Sequence, residues 1–287
     1  MLIDLQLHST YSDGYLTPTE LARLLARQAV KAAALTDHNT ISGLNEFRQA
    51  CRQYKIKPIT GLELYVKLGN KRFNILWYNF KEPDQELHNI LHNSQLRRRG
   101  KTRKILKKLV KRGFKINVDK ILDKYSQYIP INRIVGDIRQ ISRNRAKISR
   151  ELKNKNPRED EIIKRYFLNP QIGKLHESYI SFERVLKLRK RIGGRIIINH
   201  PAKYGYINVD FWKKLKKLGV DGAEVLSPHH SVGAVMYIQY LARELKFIET
   251  GGSDFHCFEG DRTLIKNSWQ YFKINSRYLR GIDKIIG

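Results

Sequence analysis

Residues 2–14, LIDLQLHSTYSDG, decide how this chain is read, because a strand-like run from Leu2 to Leu7 ends in His8 and in a polar turn that carries Asp13. Ionisable groups at the carboxyl end of a strand are the arrangement by which α/β folds build their binding sites. Immediately downstream, Thr17-Pro18-Thr19-Glu20 offers an N-cap, a proline at the first helical position and a glutamate at the third, followed by Leu21, Leu24 and Leu25 at helical spacing. Strand one is therefore followed by a helix.

The unit repeats. Residues 32–36 form a short apolar run, Ser42 stands where it could cap a helix through Cys51, and residues 57–66 and 72–78 read as two further strands. From residue 82 the pattern lengthens into one helix, with Leu87, Ile90, Leu91, Ile105, Leu106, Leu109 and Val110 on its apolar side and an end near Gly113. Residues 115–178 are rich in Lys, Arg and Asn with short apolar groups, which reads as a small helical subdomain. Strand signals return at 195–199, 223–226 and 247–250. They are separated by helices with apolar positions at Phe211, Leu215 and Leu218, then at Val232, Val235, Ile238, Ala242 and Leu245. The expected organisation is a (β/α) barrel made by residues 1–82 and 179–287, interrupted by an inserted basic helical domain at 83–178.

With 287 residues, 41% of them hydrophobic, the chain can bury a sizeable core. Its 55 Lys and Arg against 27 Asp and Glu give a net charge of +28, which points to a polyanionic partner, a genome rich in Lys codons being the other source of such an excess. Cys51 and Cys257 are far apart and lack CxxC spacing, so neither a disulfide framework nor a cysteine zinc site is expected. The first residues lack the basic start and apolar stretch of a secretion signal, and no apolar run approaches a membrane span. A cytoplasmic location is the expectation.

The chemistry sits where the strands end. His8 and Asp13 follow strand one, Asp37 and His38 strand two, Glu63 lies in strand three, His200 ends RIIINH, and Asp254 and His256 follow FIETGG. Imidazoles and carboxylates are the usual ligands of Zn, Mn and Fe, and so many of them exceed what one ion needs. Two or more ions about 3.5 to 4 Å apart can share a hydroxide, lower the pKa of bound water towards about 7 and neutralise a phosphoryl oxygen. Such an apparatus suits hydrolysis of a phosphate ester.

The motifs IDLQLHSTYSDG (3–14), LTDHNTISGL (35–44), ITGLELY (59–65), INHP (198–201) and GGSDFH (251–256) resemble the polymerase and histidinol phosphatase (PHP) domain hydrolases. With the middle inserted, the arrangement resembles the subgroup of nucleoside 3′,5′-bisphosphate phosphatases and short-RNA 5′-to-3′ exonucleases. The resemblance implies an α/β fold, a distorted (β/α)7 barrel holding one to three divalent ions drawn from Mn, Zn, Fe or Mg. It further implies that Asp13, His38 and His256 make one intact, catalytic site. Gln6, His8, Glu63 and Asp254 would make another, and Glu63 with Asn74 and His200 a third. Gln6 and Asn74 depart from the pattern: the first motif normally reads HxH, and Asn74 in FNILWY stands where a histidine is usual. A neutral amide is a harder, weaker partner for zinc than imidazole, so a reduced cluster that tolerates Mn or Mg is expected.

Other candidates come from the same resemblance. His229 and His230 in LSPHHS lie where relatives carry a histidine near the substrate phosphate, and His230 is the one favoured. Arg133 in INRIVGDIR resembles the phosphate-contacting arginine of an RPH motif, with Val135 replacing the histidine. Asp37 is expected to orient a ligand imidazole. His88 and His92, four apart on a helix, read as an exposed face. The basic run RRRGKTRKILKKLVKRGFK (97–115) is dense enough to track a phosphate backbone, and Tyr125, Tyr128 and Tyr166 are either base-stacking or core residues. The expected function is metal-dependent hydrolysis of a phosphate ester of a nucleotide or short oligonucleotide by metal-activated hydroxide. The alternatives are a barrel that binds nucleic acid without turnover and a small-molecule phosphatase of the histidinol-phosphate kind.

Overall fold

The computed structural model describes residues 1–205, 207–257 and 273–287. The chain divides into two compact units, one formed by 1–89 with 179–287 and the other by 90–178. In the first, the described residues form nine strands, β1 (Leu2–Leu7), β2 (Ala32–Leu35), β3 (Lys57–Leu68), β4 (Lys71–Tyr78), β5 (Ile180–Ser181), β6 (Arg195–Ile198), β7 (Gly222–Leu226), β8 (Ile248–Gly251) and β9 (Ile274–Asn275). They form one sheet in the order β8-β7-β6-β4-β3-β2-β1-β9, with β5 paired to β3. The chain leaving β8 comes back to the end of β1, where Leu7 bridges Phe255 and the amide of His8 donates to the Phe255 carbonyl at 3.0 Å. The sheet is thereby nearly closed into a distorted α/β barrel.

Local chemistry explains the elements. Thr17 caps α1 (Pro18–Arg27) in a capping box with Glu20, and Pro18, Leu21, Ala22 and Leu25 form its buried face. The helix α2 (Leu44–Gln53) differs from the sequence expectation at its start. Gly43 is its N-cap and no side chain caps it, because the Ser42 amide and hydroxyl are both engaged with Thr40. The βα rhythm also breaks once: β3 and β4 are an antiparallel hairpin, Leu68 opposite Lys71, turned by Gly69-Asn70 with Gly69 at φ +56°. β4 then pairs antiparallel with β6, after which β6, β7 and β8 are parallel. Inner strands buried on both faces read as apolar runs, as in the all-buried β2 and the Ile196–Ile198 end of β6.

The second unit is helical. The later turns of α3 (Gln85–Lys111) are followed by α4 (Val118–Asp123), α5 (Ile131–Gln140), α6 (Ser142–Leu152), α7 (Glu159–Ile162) and a π-helical turn at Ile163–Leu168. Its core includes Leu106, Phe114, Leu122, Ile134, Tyr166 and Phe167. Several arginines of the basic run are spent inside it. Arg98 is buried, donates from Nε to the Ile129 carbonyl at 2.8 Å, pairs with Glu177 and lies 4.4 Å over the Tyr128 ring. Arg99 donates to the Leu122 and Tyr125 carbonyls. Tyr125, Tyr128 and Tyr166 are buried, so they are core residues. Lys104, Lys107, Lys108 and Lys111 remain exposed on α3, as do His88 and His92, and Arg112 is exposed just past its end. Among the described residues no helix is long and apolar enough to cross a membrane.

Barrel closure depends on a close approach. A Cβ added at Gly252 would collide with the Cβ and amide nitrogen of Gln6, so only glycine lets the chain after β8 lie against β1. Gly252→Ala is therefore expected to lower stability by about 1–3 kcal/mol through overpacking, read as a lower urea midpoint at unchanged slope.

Candidate metal centre

Five segments bring their ionisable groups to one rim. His8 leaves the end of β1, Asp13 sits in the turn after it, His38 follows β2 and bridges Glu63, Glu63 faces inward from β3, and Asp254 and His256 follow β8. Glu63, fully buried, is the hub. Its Oε2 lies 3.2 Å from His8 Nε2, and its Oε1 lies 3.6 Å from His200 Nε2 and 3.7 Å from His38 Nδ1. His8 Nε2 is also 3.1 Å from Asp254 Oδ1. Asp13 reaches His38 Nε2 at 3.6 Å and His256 Nε2 at 3.5 Å. The rings of His8 and His256 stack with centroids 4.1 Å apart, and His38 stacks on Tyr65 at 4.6 Å.

Such crowding sets the electrostatics. Burial alone would raise the carboxyls, but the imidazoles of His38, His200 and His8 hold Glu63 well below the usual carboxylate range, and those of His256, His229 and His8 do the same for Asp254. Burial also works against a charged His8, yet Asp254 and Glu63 hold it well above the ordinary imidazole value. His38, whose burial outweighs its carboxylate neighbours, is lowered to about 4. Two ionised carboxylates around one shared imidazole make a site with a strong demand for positive charge.

Two concentrations of donors emerge. The ligand atoms of His8, Asp13, His38 and His256 all lie within 4.8 Å of one another, and so do those of His8, Glu63 and Asp254. The sequence profile of the PHP domain family matches residues 4–168, more than half of the chain and including the first four of these segments. The chain belongs to the PHP domain family. Across nearly its whole length it is similar to the 5′-3′ exoribonuclease of Haemophilus influenzae, 28% identical over 274 residues covering 92% of this chain and 93% of that one. It is similar also to the 3′,5′-nucleoside bisphosphate phosphatase of Chromobacterium violaceum, 26% identical over 272 residues covering 91% and 90%. Among solved structures, an amidohydrolase from Chromobacterium violaceum with bound sulfate shares the fold, with a TM-score of 0.70 at 24% identity over 95% of this chain and 97% of that one.

The residues of this PHP domain fit divalent cations. The donors are carboxylates and imidazoles, and the buried Gln6 Oε1 has no hydrogen-bond partner among the described residues, an orphaned acceptor on a side chain that touches Glu63, which a cation would satisfy. Gln6 Nε2 donates to Glu63 Oε2 at 3.3 Å and Asn74 Nδ2 to Glu63 Oε1 at 2.5 Å. The Gln6 and Asn74 amides thus grip both oxygens of the central carboxylate. His200 touches Glu63 without entering either group of four or three.

Other placements differ from what the sequence suggests. His229, not His230, reaches the cluster, with its Nε2 2.6 Å from Asp254 Oδ2, while His230 Nδ1 is engaged with the Val225 carbonyl at 2.9 Å. Lys203 lies beside them, its Nζ 3.6 Å from Asp254 Oδ2. Asp37 accepts from the Ser9 amide at 2.7 Å, the Ser9 hydroxyl at 2.6 Å and the Ser12 hydroxyl at 2.5 Å. It ties down the loop between His8 and Asp13 and does not hydrogen-bond an imidazole among the described residues. The buried Glu224 accepts from the His200 amide at 3.0 Å and so fixes that backbone, which sits at φ +21°. Arg133 belongs to the helical unit, where its guanidinium lies 5.3 Å from the Tyr125 ring centroid.

Because imidazole is a stronger donor to transition-metal ions than a neutral amide, the double variant Gln6→His, Asn74→His is expected to bind more metal per chain than the wild type when both are purified without chelator. Elemental analysis after identical Mn or Zn loading reads this directly. For the wild type, bound metal should fall as pH is lowered, since protons compete for every ligand.

Proposed function

We propose that this chain is a metal-dependent phosphoesterase acting on a phosphate ester of a nucleotide or short oligonucleotide. The observation that carries the reading is the convergence of His8, Asp13, His38, Glu63, Asp254 and His256 on one rim of the barrel. The whole-length likeness to an exoribonuclease and to a nucleoside bisphosphate phosphatase supports the substrate class. The net charge of +28 suits a polyanion. The barrel would be residues 1–82 with 179–287, and 83–178 the inserted domain.

Asp13, His38 and His256 would hold one cation, and Glu63 and Asp254, with His8 and Gln6, would hold a second. Asn74 and His200 lie at the far side of Glu63. Bound divalent cations supply an activated water and neutralise charge on the phosphoryl oxygens. The oxygen-rich donor set, with two amides in place of imidazoles, favours Mn or Mg over Zn. The chain's own residues do the rest. Glu63 and Asp254 remain ionised and thus available as ligands. Asp37, Glu224 and the Gly14 turn, where a Cβ would strike the His8 carbonyl, hold the ligand loops in place before substrate arrives. Lys203 and His229 place a cation and an imidazole beside Asp254, where they would meet a substrate phosphate.

Asp254→Asn and His38→Ala are each expected to reduce phosphate or mononucleotide release at least about 100-fold while circular dichroism stays that of the wild type, an effect of the size seen when a transition-state charge stabiliser is lost. EDTA should abolish turnover and Mn restore it. Binding of RNA or DNA that is indifferent to EDTA, with no hydrolysis under any metal, would instead mark a barrel that binds without turnover.

A further inference from the structure

The β3–β4 hairpin carries more than metal ligands. Side chains alternate along a strand, and directly opposed residues share a face. The register pairs Glu63 with Leu76, Tyr65 with Asn74 and Lys67 with Arg72, so Glu63, Tyr65 and Lys67 of β3 line up with Asn74 and Arg72 of β4 on one face. β5 extends this face, since Val66 pairs with Ile180 and places Tyr179 beside Tyr65, with ring centroids 6.1 Å apart and edge-on. The Arg72 guanidinium lies 5.5 Å from the Tyr179 ring centroid. Running from the centre outwards, the face reads carboxylate and amide at Glu63 and Asn74, then aromatic at Tyr65 and Tyr179, then cationic at Lys67 and Arg72. Tyr65 is itself the ring on which His38 stacks. Tyr179 is half-buried, and Lys67 and Arg72 are exposed and form no ion pair among the described residues.

We infer that this face is a binding track for the second nucleotide of a single strand: Tyr179 stacks a base, and Lys67 with Arg72 holds the phosphate beyond the one being cleaved. The inference rests on the hydrolase reading for its direction, with the reacting phosphate at Glu63 and the strand leaving along the hairpin. Four residues of strand separate Glu63 from Lys67, about 13 Å, so the cations are too far out to share the reacting phosphate. They are placed instead for its downstream neighbour. A tyrosine with a guanidinium over one face of its ring matches how single strands are held, the base on a π-face and the backbone at a cation. Such a contact is tolerant of sequence, because every base offers a π-face. It distinguishes an oligonucleotide from a mononucleotide, which ends before reaching it.

The test is fluorescence anisotropy of a labelled, 5′-phosphorylated RNA pentamer binding to full-length protein in EDTA, paired with Mn-supported hydrolysis of the pentamer and of a nucleoside bisphosphate. Tyr179→Ala is expected to weaken pentamer binding about five-fold or more, with Tyr179→Phe close to wild type, since stacking needs the ring and not the hydroxyl. Arg72→Ala and Lys67→Ala should each weaken binding and flatten its salt dependence by about 0.7 in the log–log slope. Hydrolysis of the bisphosphate should be unchanged in all four, which also shows that they fold. Pentamer affinity equal to wild type in Tyr179→Ala and Arg72→Ala overturns the inference, and so does an equal loss on both substrates. If the wild type hydrolyses neither substrate, the hydrolase reading fails, while the anisotropy still decides whether the track exists. A DNA pentamer bound as tightly as RNA leaves the track in place and shows that it does not read the 2′-hydroxyl.

Discussion

A single buried carboxylate constrains the centre of this molecule. An ionised group without water must be surrounded by donors or by cations, or it takes up a proton instead. Glu63 has no solvent contact, and it is met from β1 by Gln6 and His8, from the end of β2 by His38, from β4 by Asn74 and from the end of β6 by His200. Four segments outside its own strand must therefore be in place before that charge is tolerable. The nearly closed sheet is the arrangement that delivers them. The glycine at 252, which allows the chain after β8 to lie against Gln6, adds Asp254 and His256 to the same rim.

Around this hub lies a layer that fixes backbone and loops. Asp37 binds the Ser9–Ser12 loop, and Glu224 binds the amide of His200. Asp4 accepts from the Ser253 amide at 3.0 Å. Burial pushes the Asp4 carboxyl up to about 7 and the Glu224 carboxyl well above the ordinary range. In these two burial prevails, in contrast to Glu63 and Asp254, which imidazoles hold ionised. Acids of one residue type are thus sorted by surroundings alone into ionised ligands and protonation-prone supports.

The positive charge is divided in a similar way. Within the helical unit Arg98, Arg99 and Arg103 are committed to carbonyls, carboxylates and a tyrosine ring, and they act as structural ties. The lysines further along α3 stay in solvent. In the barrel unit Lys203 lies beside Asp254, and Lys67 with Arg72 stands exposed at the end of the hairpin face. A net charge of +28 is compatible with a polyanionic partner, but which cations could meet one depends on which ones the fold has not already used.

Much of the architecture is legible in the sequence because its causes are local. The Thr17–Glu20 capping box, the apolar runs of buried strands and the placement of His8, His38, His200 and Asp254 after those runs are properties of neighbouring residues. They allow the α/β barrel to be read directly, and the motifs that resemble the family point to His8, Asp13, His38, Glu63, Asp254 and His256, which the structure brings to one rim. What only the tertiary structure decides is direction and distance between residues far apart in the chain. Whether His229 or His230 reaches Asp254 turns on the rotation of the backbone after β7. Whether Gln6 and Asn74 are merely absent histidines or grips on Glu63 turns on three strands meeting. Whether Arg98 is a surface cation or a buried tie depends on the packing of residues 128–129 and 177 against it. Periodicity fixes which face a side chain is on, but what it meets there is set by sheet register and closure, which couple residues hundreds of positions apart.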